Sequence, residues 1–294
     1  MPNPRHRIDS YRTLIILRTM SKVREFLEED LGFGDITSDS LIGDEKGTAC
    51  IRANEPCVLA GLEEAMEVFK EVKVDAAPLV RDGEHVSKGE EVLSIEGPLK
   101  GILLGERLAL NFLMRMSGVA TATDAVVREC RRWNPNVRIA ATRKTTPGFR
   151  YYEKKAVSLG GGDPHRFRLD DAILIKDNHL EVVGSITQAI RMAKAASFTK
   201  KVEVEVGTLE QAVEAAEAGA DIIMLDNMRS DKAETAYLAI KRINGKALVE
   251  VSGGLSPETA PSYAAHADVL SLGWLTHSVR AVHFNLEVTS VRRP

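Results

Sequence analysis

A regular alternation of short apolar runs and amphipathic helices, which begins near Val119, is the feature that most constrains how this chain folds. Six runs are predicted to be strands: Val137–Ala141, Ala172–Ile175, Val202–Val206, Ile222–Leu225, Leu248–Val251 and Val269–Leu272. Each is almost continuously hydrophobic, as buried parallel strands are. Strands that alternate with crossover helices form a parallel sheet. Because the chain has no Rossmann-type glycine spacing, and a full barrel takes about 250 residues, we predict an incomplete parallel α/β barrel over residues 119–278.

Several helices of this region have readable first turns. Ser185–Gln188 and Thr208–Gln211 both have the spacing of a capping box, in which the first side chain caps the helix N-terminus. Ser256-Pro257 combines an N-cap residue with a proline at the first helical position. We therefore predict that one helix begins at each of these three places.

The residues before Gly118 have a different texture, because strand-like pieces and Gly/Pro turns are mixed with helices. Three segments are assigned: a helix at Ser21–Leu31, short β segments within Leu79–Ile102, and a helix at Leu103–Met116. We predict a separate α/β domain over residues 20–118. The first 19 residues are predicted to be an N-terminal extension, with Met20 as an alternative start.

Composition excludes several classes of function. The net charge is -3 and no block of like charges occurs, so neither nucleic acid nor an anionic membrane is expected as a partner. No apolar run approaches the roughly 18 residues that a membrane span needs. The three cysteines form no C-x-x-C pair, which disfavours disulfide and zinc frameworks and predicts a cytoplasmic protein. They are Cys50, Cys57 and Cys130.

Polar residues end nearly every predicted strand of the barrel. In chain order they are Thr142, Arg143 and Lys144, then Lys176, Glu203 and Glu205, Asp226, Ser252 to Gly254, and Gly273. In barrels and in open α/β sheets alike, the carboxyl ends of the strands build the active site. So many polar endings in register predict a site at this face.

The cations of this face predict a multiply charged anionic ligand. They are Arg143, Lys144, His165, Arg166 and Lys176. Arginine side chains match carboxylates and phosphates in bidentate geometry. Glu205 and Asp226 face them from neighbouring strand ends and are predicted to hold Mg²⁺, which needs few protein ligands. Glu203 is expected to lie on the half-exposed face of its strand.

Two glycine segments compete for the role of phosphate cradle. Gly160–Arg166 reads GGGDPHR, and three glycines beside a His-Arg pair indicate an anion loop. Ser252–Gly254 lies at a strand end before a predicted helix start, where backbone N–H groups and the helix dipole bind phosphate. We favour Ser252–Gly254. The first segment is predicted to end a helix and to carry His165 and Arg166 over the barrel mouth.

Several long motifs in order make the chain resemble the quinolinate phosphoribosyltransferase family. The most specific runs from Thr142 to His179 and reads TRKTTPGFRYYEKKAVSLGGGDPHRFRLDDAILIKDNH. The others are EEDLGFGDIT (Glu28–Thr37), GERLALNFLMRMSG (Gly105–Gly118), VEVEV (Val202–Val206), MLDN (Met224–Asn227), SGGL (Ser252–Leu255) and LSLGWLTHS (Leu270–Ser278). One departure lies in the tail, where His283 stands at a position expected to be Asp.

The resemblance implies an N-terminal α/β sandwich, joined by residues 279–294, packed on an incomplete α/β barrel. It implies the conversion of quinolinate and phosphoribosyl pyrophosphate into nicotinate mononucleotide, pyrophosphate and CO₂ with Mg²⁺, in NAD synthesis. It also implies a homodimer or larger homo-oligomer in which Arg107 enters the neighbour's site.

The candidate site residues follow from the strand ends and the resemblance together. The catalytic candidates are Lys144, Lys176, Glu205 and Asp226, of which Glu205 and Asp226 are the metal candidates. The substrate-binding candidates are Arg107, Thr142, Arg143, Lys144, His165, Arg166, Lys176, Ser252, Gly253, Gly254, Ser271, Leu272 and Gly273.

Other interpretations stay open at this point. The resemblance also covers a nicotinate phosphoribosyltransferase without decarboxylation and a sister protein associated with molybdate transport. From another class, Arg81–Ile102 is similar to the β-hammerhead of biotinyl or lipoyl carriers, with Lys100 as the modified residue. Lys176 could serve as a Schiff-base lysine, although its cationic neighbours favour anion binding.

Overall fold

The computed structural model describes residues 22–293, which form two compact units. The first contains the described residues up to Gly118 together with those from Arg280 onward, and the second is Val119–Val279. The N-terminal extension and the alternative start at Met20 lie outside the described residues. In the described chain no helix is both long and apolar enough to cross a membrane.

The first unit is a mixed α/β structure. In chain order its elements are α1 (22–31), α2 (Ile36–Leu41), β1 (Lys46–Ala53), β2 (Cys57–Val58), α3 (Leu62–Glu71), β3 (Asp75–Pro78), β4 (His85–Val86), β5 (Glu91–Pro98) and the start of α4 (Leu99–Arg131).

The second unit contains the remaining elements but one. They are β6 (Arg138–Ala141), α5 (Arg150–Leu159), β7 (Ile173–Ile175), α6 (Asp177–Val183), α7 (Ile186–Ala196), β8 (Val202–Val206), α8 (Leu209–Glu217), β9 (Ile222–Asp226), α9 (Ser230–Ile243), β10 (Leu248–Ser252), a 3₁₀ helix (Ala260–His266), β11 (Val269–Leu272) and α10 (Trp274–His277). The final strand, β12 (Phe284–Arg292), returns to the first unit.

The main sheet of the first unit is antiparallel, with strand order β12-β1-β5-β3. Strand β12 pairs along the whole of β1, from Lys46 opposite Arg292 to Ala53 opposite Phe284. The C-terminal segment therefore completes the sheet on which the apolar faces of the helices pack. Residues such as Ile51, Leu93 and Phe69 are fully buried in this unit.

Helix α4 is longer than the sequence predicted at both ends. It begins at Leu99, within the segment assigned to β structure, and it continues past Met116 to Arg131. Gly118 does not stop the helix. A Cβ atom at Gly118 would lie 2.3 Å from the carbonyl oxygen of Arg280, so this glycine permits a close backbone approach.

The sheet of the second unit is parallel and has the order β6-β11-β10-β9-β8-β7. This is the order of a barrel in which the first and second strands do not pair. The predicted incomplete barrel is confirmed. Strands β6 and β7 therefore each have one edge without a partner strand among the described residues. The segment 160–172 lies beside the open edge of β6, since Asp163 makes a parallel bridge with Ala140.

One predicted helix start of this unit is wrong. Ser185 and Thr208 cap α7 and α8 as expected, through hydrogen bonds from the N–H groups of Gln188 and Gln211. No α-helix begins at Ser256-Pro257. A turn follows instead, and then the 3₁₀ helix Ala260–His266. The phosphate cradle proposed at Ser252–Gly254 therefore cannot draw on an α-helix dipole.

Candidate active site

A cleft of about 480 Å³ opens at the carboxyl ends of the barrel strands. The sequence-predicted residues that line it are Thr142, Arg143, Lys144, His165, Arg166, Lys176, Glu205, Asp226, Ser252, Gly253, Gly254 and Ser271. Leu272 and Gly273 do not line it, because the Leu272 side chain is fully buried and Gly273 precedes α10. Arg107 belongs to the first unit and is exposed on α4.

The loop after β6 supplies two of the cleft's cations. The Thr142 hydroxyl accepts a hydrogen bond from the Lys144 N–H at 3.1 Å, and the Lys144 carbonyl accepts one from the Thr276 hydroxyl at 2.7 Å. Within the described residues, the Nε of Arg143 is buried with no hydrogen-bonding partner. A buried donor without a partner is costly, so Arg143 is a candidate to bind an anion in the cleft that it lines.

His165 and Arg166 come from the segment at the open edge of the barrel. His165 has a left-handed backbone, with φ of 51°, and its N–H donates to Asp163 Oδ1 at 2.7 Å. The Arg166 Nη1 donates to the Ala172 carbonyl at 3.5 Å. These bonds fix two cations at the cleft although no strand ends at this point.

A layer of buried acids lies one step below the strand-end residues. Glu203 and Glu250 precede Glu205 and Ser252 by two positions, so their side chains share the inward face. Both are 1% exposed. The Ser271 hydroxyl donates to Glu250 Oε1 at 2.6 Å, and His165 Nε2 lies 3.2 Å from Glu250 Oε2. The expectation that Glu203 lies on a half-exposed face is wrong, since that face of β8 points into the barrel.

The charges of this layer act on each other. Burial lowers the pKa of His165, but the hydrogen bond with Glu250 and the charges of Glu250 and Glu203 outweigh it and raise the pKa above its usual value. Burial, with the charge of Glu250, raises the pKa of Glu203. Neither carboxylate oxygen of Glu203 has a hydrogen-bonding partner among the described residues. The imidazolium of His165 is therefore favoured by two acids beneath it.

Two half-buried carboxylates, Glu205 and Asp226, also line the cleft. Lys176 Nζ donates to Glu205 Oε2 at 2.6 Å, and Asn227 Nδ2 donates to Asp226 Oδ2 at 2.5 Å. Glu205 and Asp226 end neighbouring strands, because Glu205 pairs with Met224 in the β8–β9 register. Hard oxygen donors with room for phosphate oxygens and water suit Mg²⁺. These residues therefore fit the predicted metal.

The Ser252–Gly254 turn has a backbone that only glycine adopts readily. Gly253 and Gly254 have φ of 92° and 62°. A Cβ atom on Gly253 would lie 2.5 Å from the Asn227 side chain. Across the described chain no hydrogen bond is made by the N–H of either glycine, so both are available to an anion in the cleft.

The GGG segment has the structural role that the sequence predicted. Helix α5 ends at Leu159, and Gly161 has φ of 81°. A Cβ on Gly160 would lie 2.3 Å from the Ala120 carbonyl oxygen, and one on Gly162 would lie 2.7 Å from Thr123 Cγ2. These glycines let the chain turn back against α4, as close packing requires.

Two alternatives to an anion site lose their basis. Lys100 lies in the first turn of α4, 3.3 Å from Asp39 Oδ1, and not at the tip of a hairpin where a carrier lysine would stand. Lys176 is held in an ion pair with Glu205, which suits a cation rather than a Schiff-base amine.

Sequence reasoning missed Glu250 and Asn227 as cleft residues, and Glu203 beneath them. The available signal was their position, since a glutamate in the middle of an apolar parallel strand must face either the barrel interior or a helix layer. Asn227 has φ of 53°, which places its amide beside Asp226.

An incomplete α/β barrel with a cluster of cations beside two carboxylates at its mouth is typical of an enzyme that acts on charged small molecules. Family models described as "Quinolinate phosphoribosyl transferase, C-terminal domain" and "Quinolinate phosphoribosyl transferase, N-terminal domain" match residues 119–287 and 35–117. The chain belongs to this family of phosphoribosyltransferases, as its motifs predicted.

Relatives over nearly the whole chain agree with this placement. A Methanothermobacter thermautotrophicus protein named probable carboxylating nicotinate-nucleotide pyrophosphorylase is 44% identical over 280 residues, which cover 93% of this chain and all of the relative. The human protein of that name is 38% identical and covers 82% of each chain. The crystal structure of NadC from Streptococcus pyogenes has a TM-score of 0.88 at 37% identity and covers 94% and 97% of the two chains.

Proposed function

We propose that this chain transfers the phosphoribosyl group of phosphoribosyl pyrophosphate to quinolinate and releases CO₂, giving nicotinate mononucleotide and pyrophosphate in NAD biosynthesis. The observation that carries the proposal is the division of one cleft into two halves. Arg143, Lys144, His165 and Arg166 form the cationic half, and Glu205 with Asp226 forms the other. Lys176 stands between them, paired with Glu205.

The cationic half fits a substrate with two adjacent carboxylates. Quinolinate is such a dianion, and Coulomb attraction in a partly desolvated cleft favours it over a monoanion. The Arg143 Nε is a donor without a partner among the described residues, and Glu250 holds the His165 imidazole at the cleft through its Nε2. We assign Arg143, His165 and Arg166 to the carboxylates of quinolinate, with Thr142 and Lys144 beside them.

The other half suits the phosphoribosyl donor. The free N–H groups of Gly253 and Gly254, with the side chains of Ser252 and Ser271, are assigned to the 5′-phosphate. Glu205 and Asp226 would hold Mg²⁺, which neutralises pyrophosphate charge when bound. The same carboxylates stabilise the positive charge that develops on the ribose as its bond to pyrophosphate breaks.

Decarboxylation then needs no organic cofactor. The ring nitrogen forms the new bond to ribose C1 and becomes cationic. When the adjacent carboxylate leaves as CO₂, its electron pair stays on the ring carbon next to that cation, and a proton from solvent completes nicotinate mononucleotide. Lys144 and Lys176 are the cations that we assign to these steps.

The test uses quinolinate labelled in the 2-carboxylate, with phosphoribosyl pyrophosphate and with or without Mg²⁺. We expect labelled CO₂ and nicotinate mononucleotide in equal amounts, and loss of both when the metal is chelated. Nicotinate serves as the competing substrate. Formation of the mononucleotide from nicotinate at an equal rate, without CO₂ from quinolinate, would show the non-decarboxylating activity instead.

The first variants to assay are Lys144→Ala and Arg166→Ala. Both should abolish nicotinate mononucleotide formation, because each removes a cation from the quinolinate side, and circular dichroism should report an unchanged fold. Thr235→Ala is the matched surface change, since the hydroxyl of the exposed Thr235 donates to the Asp231 carbonyl within α9. Wild-type turnover in either cation variant contradicts the assignment.

We also propose a homodimer or larger homo-oligomer in which Arg107 reaches the neighbour's cleft. Its exposure on α4 and its place in the GERLALN motif support this role. A cytoplasmic location is proposed from the three buried free cysteines.

A further inference from the structure

Helix α5 makes side-chain contacts with both loops that carry the cleft's cations. Three of its residues, Arg150, Glu153 and Lys154, bind the loop 142–146 and the loop 163–167. Arg143 and Lys144 belong to the first loop, and His165 and Arg166 belong to the second. None of the three α5 residues lines the cleft itself.

Lys154 holds the second loop from below. The side chain is fully buried, which is rare for lysine. Its Nζ donates to the Pro164 carbonyl, one residue before His165, and lies 5.4 Å from the centre of the Phe167 ring. Burial lowers the pKa of Lys154 to about 8, and the charge of Arg150 adds to the effect. Burying a lysine cation costs folding free energy. The contact of Lys154 with the Pro164 carbonyl offsets part of this cost.

Glu153 holds the first loop in the same manner. It is fully buried. Its two carboxylate oxygens accept the N–H and the hydroxyl of Thr146 at 3.0 and 2.9 Å. Such a pair of bonds fixes both the position and the rotation of the loop beyond Lys144.

Arg150 links the two loops directly. Its Nε donates to the Thr145 hydroxyl at 3.0 Å, and its Nη1 donates to the Phe167 carbonyl at 3.0 Å. The guanidinium is rigid and planar, so these bonds set one separation between the loops. Both loops are also tied to β6, because loop 142–146 follows this strand and Asp163 bonds to its edge, but Arg150 joins them beyond that strand.

We propose that Glu153 and Lys154 are positioning residues, which hold the loops 142–146 and 163–167 at the separation that matches two adjacent carboxylates. The inference rests on the proposed use of quinolinate. It extends the site to a helix that touches no substrate. In this view the buried charges of Glu153 and Lys154 serve to place the substrate-binding loops rather than to stabilise the fold.

The proposal predicts an asymmetric defect. Loosening either loop displaces Arg143 or His165. A displacement of about 1 Å is enough to weaken a bidentate or paired contact strongly. Ser252–Gly254 and Asp226 lie at the ends of β10 and β9, and within residues 22–293 they make no hydrogen bond with α5. The affinity for phosphoribosyl pyrophosphate should therefore be preserved.

The decisive variant is Lys154→Met, which keeps the length and apolar stem of the side chain. We expect the KM for quinolinate to rise about tenfold or more, as loss of a charge-assisted bond implies. The KM for phosphoribosyl pyrophosphate should change by less than about twofold. An unchanged quinolinate KM, or an equal rise in both constants, would overturn the proposal.

Lys241→Met is the matched control. Lys241 also donates to a backbone carbonyl, that of Ala247, and pairs with Asp268 at 2.7 Å. These partners precede β10 and β11 and so lie at the opposite end of the barrel. Lys241 is only partly buried. This variant should lose stability and keep both KM values, so that the general effect of losing a hydrogen-bonded lysine is separated from a positional effect.

Glu153 provides a second pair of variants if Lys154→Met fails to fold. Glu153→Gln keeps one carbonyl acceptor for the Thr146 N–H and should restore most of the quinolinate affinity that Glu153→Leu loses. A rescue of stability without rescue of affinity contradicts the positioning role.

Equilibrium binding separates this inference from the proposed function. Calorimetry with quinolinate alone needs no turnover. If the wild type binds quinolinate but releases no CO₂, the proposed function fails while the variants still test the positioning role. If the wild type turns over quinolinate and Lys154→Met binds it as tightly, the positioning role fails alone.

Discussion

His165 has a left-handed backbone and lies above two buried acids, and both features are energetically unfavourable unless neighbouring residues compensate for them. Its left-handed backbone is adopted by few non-glycine residues, and strain of this kind is of order 1–3 kcal/mol. Beneath its imidazole lie Glu203 and Glu250, two acids in a barrel layer that usually holds branched apolar side chains. The free-energy cost of this placement fits the proposed role of His165 in binding quinolinate.

Glu250→Gln tests how far the buried acid supports His165. Because Glu250 raises the pKa of His165, the imidazolium persists above its usual range in the wild type. The amide removes that charge, so His165 should lose its proton at lower pH. The alkaline fall of kcat/KM for quinolinate is expected to move to lower pH. The measurement is a pH profile of initial rates.

Glu258→Gln is the control for this change, since Glu258 is exposed and its carboxylate accepts a hydrogen bond from the Ser256 hydroxyl. Its profile should match the wild type. A Glu250→Gln profile that coincides with the wild type would show that Glu250 does not govern the imidazole.

At the scale of single residues, the sequence predicted cleft residues correctly where a polar side chain follows directly on an apolar strand. Lys144, Lys176, Asp226 and Ser252 were predictable because the carboxyl ends of parallel strands meet at one face. Glu203 was misplaced because period 2 assigns a residue to a face without saying which face is buried. That information comes from the closure of the sheet.

At the scale of elements, the turn Ser252–Gly254 is not followed by the α-helix that the sequence predicted. The Ser-Pro pair resembles a helix N-terminus, yet the chain makes only a turn before the 3₁₀ helix. The open N–H groups of the two glycines remain, and an anion would bind to these peptide groups rather than to an α-helix dipole.

Gly253→Ala should damage the phosphoribosyl pyrophosphate side alone. The added Cβ would lie 2.5 Å from the Asn227 side chain and 2.6 Å from its backbone nitrogen, so the turn must shift. We expect the KM for phosphoribosyl pyrophosphate to rise by about tenfold, with quinolinate binding intact in calorimetry.

Gly89→Ala is the comparison for backbone strain. Gly89 has φ of 85°, and an added Cβ would meet no atom within 4 Å. This variant carries the strain of a left-handed alanine, about 1 kcal/mol, without the collision. An equal effect of both variants on phosphoribosyl pyrophosphate would contradict the role of the turn.

Helix α4 shows why element bounds were harder to predict than element types. Gly118 looked like a helix end, since glycine often follows the last turn. Its small size is used instead for contact with the Arg280 backbone. The residues around a glycine do not tell whether it ends a helix or allows another backbone to approach closely. Only the tertiary contact, here with Arg280, distinguishes the two cases.

At the scale of the whole molecule, the charge balance gave no warning of a cationic site. The net charge is -3, but the acids that balance the cleft's cations lie within and beneath the cleft itself. The positions of the charged residues along the chain were visible in the motifs. Which charges pair with each other became known only from the folded barrel.

Mixing of two inactive variants tests the proposed assembly. Arg107→Ala removes the residue that is lent to the neighbour, and Lys144→Ala inactivates the cleft of its own subunit. In a random mixture of dimers, half are hybrids with one intact site, so activity should return to about a quarter of the wild type. The measurement is CO₂ release after unfolding and refolding the two variants together.

Each variant refolded alone is the control and should stay inactive. A mixture that stays inactive although mass measurement detects hybrids would show that Arg107 acts within its own subunit or not at all.

An unclosed barrel leaves two strand edges, and edges of this kind invite pairing with other chains. Asp163 occupies the outer edge of β6 through hydrogen bonds to Ile139 and Ala141. The segment that presents His165 and Arg166 is thus also a cover against strand addition. Changes that release it should produce aggregation along with the loss of substrate affinity, so that shelf life and specificity in this enzyme depend on the same few residues.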